Sequence, residues 1–105
     1  MNNQSVSNAF KTFGEEASGH AQVWMEAVQK LGATSKLDKK TEALSYIAVL
    51  AASRLESGIP FHVKEAKKYL ASREEIISAI LIGLPAVGNA VTSSLPIAIK
   101  AYDED

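Results

Sequence analysis

Among the 105 residues, the side chain best suited to chemistry near neutral pH is His62. An imidazole titrates close to pH 6.5, so it gives and takes protons under ordinary conditions. Glu56 and Arg54 lie just before it, in the short link that precedes its helix. Each of the three also has a plainer reading. His62 can pair with Glu65 one turn on. Glu56 can be a solvated carboxylate favoured near a helix N-terminus, and Arg54 a cation favoured at a helix C-terminus. His20 reads as a helix-start residue. Two histidines without a carboxylate pattern do not make a metal site, and no cofactor is expected. Tyr46 stands on the helix before the link, where its hydroxyl could reach the His62 region. Trp24 and Met25 read as packing residues that could wall a small apolar pocket. Lys64, Lys67 and Lys68 read as a solvated basic face.

Composition narrows the function classes. The chain is 47% hydrophobic and 22% charged, which excludes a disordered chain. Eleven Lys and Arg against twelve Asp and Glu leave no basic excess, so no nucleic-acid partner is expected. The chain has no cysteine, so it forms no disulfide, no thiolate metal site and no thiol redox centre. Its length predicts one domain over residues 1–105, with residues 1–5 frayed.

The charges are unevenly placed. Residues 43–53 and 76–99 carry none. The second run is long enough to raise a membrane span. Gly83, Pro85, Gly88, Asn89, Thr92, Ser93, Ser94 and Pro96 interrupt it, so it reads as two buried helices and not as a span. A domain of this size hides only about two-thirds of its unfolded surface. Two charge-free helices exceed one small core, and the excess predicts a homo-oligomer. The first residues carry no signal-peptide pattern, so a cytoplasmic location is expected.

The elements that must position these residues read as helices throughout. The first spans about Ser7–Ala17, and Ser18-Gly19-His20 breaks the chain. The second spans about His20–Leu31, with Gly32 as its closing glycine. Asp38 caps a third through Ser53. Ser57 caps a fourth to about Tyr69, with Pro60 in its first turn. Ser72-x-x-Glu75 is a capping box opening a fifth, which ends at Pro85–Gly88. A sixth runs from about Asn89 to Tyr102, with a kink at Pro96.

The segment from Lys39 to Glu75 carries a family pattern. Lys40-Thr41-x-x-Leu44 opens an apolar, small-residue helix. A short link and His62 follow, then Ala66, Ala71-Ser72 and Glu74-Glu75-Ile76. An apolar closing helix pair contains Gly88 and Ala98. Together these resemble the carboxymuconolactone decarboxylase family, which includes the alkylhydroperoxidase D-like (AhpD-like) proteins. The likeness is best over residues 37–101. It implies an all-α, AhpD-like bundle of about six helices in antiparallel pairs, assembled as a homotrimer or homohexamer.

The resemblance also shows what this chain lacks. The AhpD-like branch has Cys-x-x-Cys, a His four residues on, and a Glu about twelve residues before the first Cys. Counting from His62, those positions fall at Leu55 and Gly58 for the cysteines and Ala43 for the Glu. Only the His is kept. Glu42 is one residue away, which turns it about 100° around a helix. Disulfide-based peroxide reduction needs a thiolate and a resolving thiol, so alkylhydroperoxidase activity is not expected. The decarboxylase-like branch is similar in having no cysteine pair. It implies Arg54 as a clamp for substrate carboxylates, His62 as proton donor and Glu56 as the group that orients or charges the imidazole. The two readings carried forward are a cofactor-free, lactone decarboxylase-like reaction at His62, and a non-catalytic oligomer that binds a small ligand or a partner.

Overall fold

The structure is a computed structural model and describes residues 7–104; the expected fraying of residues 1–5 lies outside these. All regular structure among the described residues is helical. Six helices have nine residues or more: α1 (Asn8–Glu16), α2 (Ser18–Thr34), α3 (Lys39–Ala52), α4 (Ile59–Lys68), α5 (Arg73–Leu81) and α7 (Leu95–Asp103). A four-residue α6 (Leu84–Val87) lies between α5 and α7. Short 3-10 segments run over Glu56–Gly58 and Asn89–Ser94. No helix of the described residues is long and apolar enough to cross a membrane. The chain divides into two compact units, Met1–Leu37 and Asp38–Asp105.

The first unit is α1 and α2, joined at Ala17. Ser7 caps α1 by accepting from the Phe10 N–H at 3.2 Å. The helices differ from their expected limits in two ways. α2 begins at Ser18, so Ser18-Gly19-His20 forms its first turn and the break falls at Ala17. α2 also runs through Gly32 to Thr34. Ser35 closes it by donating its N–H to the Leu31 and Gly32 carbonyls, so Gly32 is a helical residue and no cap. No residue of α1 or α2 is buried.

The second unit holds the core. Ile47 and Leu50 of α3, Ile59 and Val63 of α4, and Ile76 and Ile80 of α5 meet there. Alanines 51, 66, 98 and 101 are fully or almost fully buried beside them. Small residues at these crossings let helix axes approach closely, which is how four short helices fill one core. α3 packs on α4 and α5, and α7 packs on the same two helices.

Local signals fix most helix starts. The Asp38 carboxylate accepts from the Thr41 N–H at 2.8 Å. Ser72 and Glu75 form the reciprocal capping box, with bonds of 3.0 and 2.8 Å. Lys40 holds the other Glu75 oxygen at 2.8 Å and so ties α3 to α5. Gly58, not Ser57, precedes α4, and no side chain caps it. The 3-10 turn Glu56–Gly58 feeds straight into α4, so no orphan turn is left for Ser57 to cap. α5 stops at Leu81, ahead of the expected Pro85–Gly88 end, because Pro85 starts the separate α6. Gly88, at φ +85°, ends α6 in a conformation that favours glycine. The expected sixth helix is a 3-10 segment continued by α7, with Pro96 in the first turn of α7, where a missing N–H is tolerated.

Two helix ends lack the glycine that would suit them. After α3, the Arg54 N–H donates to Ala51 and the Leu55 N–H to Leu50. After α4, the Leu70 N–H donates to Lys67 and the Ala71 N–H to Ala66. Both are left-handed helix closures of the Schellman kind. They place Arg54 at φ 58° and Leu70 at φ 71°. The Ala71 carbonyl beyond the second closure accepts from the Tyr102 hydroxyl at 2.9 Å. Lys67 reaches the Tyr102 carbonyl at 2.7 Å, and Arg73 pairs with Asp103 at 3.1 Å, so α7 ends fastened to this corner.

A left-handed conformation costs a side-chain-bearing residue roughly 1–2 kcal/mol, and glycine's extra unfolded-state freedom takes back about 0.5–1 kcal/mol. Leu70 is 85% exposed, so its side chain adds no packing within this chain. Leu70→Gly is therefore expected to raise stability by about 0.5–1 kcal/mol. Urea unfolding checks this: the midpoint rises with the slope unchanged. A lower midpoint would show that the Leu70 side chain is needed where it stands.

Candidate functional site

α3 and α4 are joined by the closure at Arg54 and the turn Glu56–Gly58, and their side chains meet beyond it. The rings of Tyr46 on α3 and His62 on α4 are stacked, with centroids 4.1 Å apart and planes 16° from parallel. Phe61 meets His62 edge-on at 5.2 Å and 78°. Tyr46 keeps about half its surface exposed, and His62 is half-buried. Val63, next along α4, is fully buried and anchors the helix that presents the imidazole.

Burial lowers the His62 pKa from its ordinary 6.5, and the nearby Glu65 carboxylate offsets this only in part. The imidazole is therefore neutral at pH 7. In that state one ring nitrogen is a donor and the other an acceptor. The carboxylate that acts on His62 is thus Glu65, one turn on. Glu56 has a different partner: its Oε2 accepts from the Ser93 hydroxyl at 2.5 Å. This bond joins the α3–α4 link to the 3-10 segment before α7. Ser93 is a residue that sequence reasoning missed. It sits 37 residues from Glu56 inside a charge-free run, and nothing local marks it.

Arg54 is exposed on its left-handed turn, and its side chain makes no hydrogen bond or ion pair among the described residues. Its guanidinium is free for an anion. Trp24 belongs to the first unit, where it lines an open apolar hollow with Phe13, Gly19, His20, Val23 and Ala27. A second open groove runs between α3 and α5, lined by Leu44, Ser45, Ala48, Glu75, Ser78, Ala79 and Ile82. His62 lines neither. The structure thus brings Tyr46 to His62 and Ser93 to Glu56.

A family model for the carboxymuconolactone decarboxylase family matches residues 19–100. The chain belongs to this family. No match was found among curated proteins or among solved structures. The all-helical fold is the one the resemblance implied, and this member lacks the Cys-x-x-Cys pair. Ala43 is half-buried against the core. Leu55 is 56% exposed on the link. At Gly58 an added Cβ would meet Leu50 at 3.5 Å, an ordinary contact. The backbone there has room for a side chain, so the absence of a thiol at Gly58 is not forced by crowding.

The lowered His62 pKa sets a direction for stability against pH. Between the folded pKa and 6.5 the unfolded chain holds more protons on this group than the folded one, so stability rises with pH. The contribution is complete above about pH 6.5 and is lost as pH falls below it. Asp38 and Glu75, whose pKa values are also lowered, add their losses only as pH falls through the carboxylate range. The melting temperature is expected to fall between about pH 6.5 and 5. His62→Gln should flatten that part of the curve. An unchanged curve in the variant would mean that His62 is not desolvated.

Proposed function

We propose that the chain is a thiol-independent, cofactor-free member of the family, a cytoplasmic homotrimer or homohexamer that binds a small carboxylated lactone. His62 is its acid–base group. The observation that carries this reading is the imidazole held flat on Tyr46 and half-buried between α3 and α4. The unpaired Arg54 guanidinium, two residues before Glu56, supports it as a clamp for the substrate carboxylates. An oligomer is supported by α2, a 17-residue helix without one buried residue.

Loss of carbon dioxide breaks a carbon–carbon bond and leaves its electron pair in the conjugated lactone as a dienolate. That anion needs one proton on carbon. His62, protonated from water, delivers it, and burial makes the imidazolium a stronger acid. The active fraction of such an acid grows as pH falls, so turnover should be faster near pH 5.5 than near pH 8. Peroxide reduction through a disulfide has no support, because the sequence supplies neither sulfur.

A second reading keeps the ligand and omits the reaction. The Ser93–Glu56 bond favours it, since it engages the carboxylate away from the imidazole. One experiment separates the two. A panel of small lactones and keto acids is screened by thermal shift, and hits are assayed for released carbon dioxide. A carboxylated lactone should stabilise the protein, and Arg54→Ala should remove the shift. His62→Gln should keep the shift and lower turnover roughly 100-fold or more. A shift without carbon dioxide supports the binding reading. The absence of any shift across the panel contradicts both.

A further inference from the structure

His62, Glu65 and Lys68 stand three residues apart along α4, so their side chains share one face of the helix. Neighbours at this spacing lie about 5–6 Å apart at Cβ. Glu65 is in the middle, with an imidazole one turn before it and an ammonium one turn after it. Its carboxylate is turned to Lys68, with Oε2 3.7 Å from Nζ. That is a loose pair, since a tight charge-assisted bond measures about 2.7–2.9 Å. α4 packs against α3, α7 and the Glu56–Gly58 turn. From α3 the ring meets the Tyr46 phenol. Glu56 of the turn is engaged by Ser93. At the end of α7, Asp103 is paired with Arg73, Glu104 with Lys64, and the Tyr102 carbonyl with Lys67. Of these groups, Glu65 is the charge that acts on the imidazole.

We propose that Glu65 is the positioning residue of His62, which rests on the acid–base reading above: its carboxylate turns from Lys68 to the ring whenever the imidazole carries a proton. The proton comes from water and leaves for the dienolate carbon, so Glu65 changes partner and keeps its own charge throughout. A neutral ring offers the carboxylate no charge to pair with, and Lys68 holds it. An imidazolium competes for it at equal spacing and is stabilised by it. Glu65 thus raises the share of His62 that is ready to donate, and Lys68 limits that share.

The test is proton NMR titration of the His62 imidazole in the full chain, with the pH profile of carbon dioxide release from the lactone panel measured alongside. Glu65→Gln keeps the side-chain shape and removes the charge, and the titration midpoint should fall by about 0.2–0.4 pH unit. Lys68→Met should raise the midpoint, since Glu65 is then released to the ring. In the Glu65→Gln background, Lys68→Met should move nothing. The pH profile of turnover should move the same way as each midpoint. A Glu65→Gln midpoint equal to that of the wild type overturns the proposal. An equal shift from Lys68→Met in both backgrounds overturns the exchange of partners, because Lys68 would then act on the ring directly. Shifted midpoints without carbon dioxide from any lactone uphold Glu65 as the carboxylate of His62 and overturn the acid–base reading alone.

Discussion

A half-buried imidazole lying flat on a tyrosine ring is the contact on which the chemistry proposed for the second unit rests. It joins α3 to α4 at the only described histidine of that unit. The stack removes water from His62 and so disfavours its charged form. Phe61 meets the same ring edge-on. A neutral imidazole is a different tool from a charged one. It neither holds an anion by charge nor carries a proton until it acquires one. On the proposed reading, the fixed cation for an acidic substrate is Arg54.

Where α4 starts and stops decides whether that contact forms. The helix is bracketed by two left-handed closures, and neither holds a glycine. Arg54 before it and Leu70 after it adopt a conformation that costs each of them about 1 kcal/mol or more. The closures satisfy carbonyls at the ends of α3 and α4 and turn the chain sharply, so the ten-residue helix lands with Val63 inward and His62 on Tyr46. Strain held in place by surrounding hydrogen bonds is common at functional positions. Here one strained residue is also the free guanidinium.

Much of the fold was legible because its signals are local. Asp38, Ser72 with Glu75, and Pro60 act on backbone groups within four residues, and each does so in the structure. The same locality explains the errors. Gly32 occupies a place where helices often end, yet Ser35 supplies the closing bonds, so the helix continues. Pro85 suggests a helix end in the sequence, and in the structure it lies in the first turn of α6. The left-handed closures at Arg54 and Leu70 could not be seen, since the residue that advertises such a turn is glycine. At the site, His62, Glu56, Arg54 and Tyr46 were all named from sequence. The partner of Glu56 is the one that leaves no local signal. Glu65 acts on His62 from one turn away, as its spacing allows. Ser93 reaches Glu56 across 37 residues, and only the folded chain brings the two together.

The claim that the site rests on a desolvated, neutral His62 is tested most directly by proton NMR titration of its imidazole. The His62 resonances should titrate below the ordinary 6.5, and Tyr46→Ala, which opens the ring to water, should move that value back toward 6.5. A His62 that titrates at or above 6.5, or that ignores the loss of Tyr46, would contradict the account.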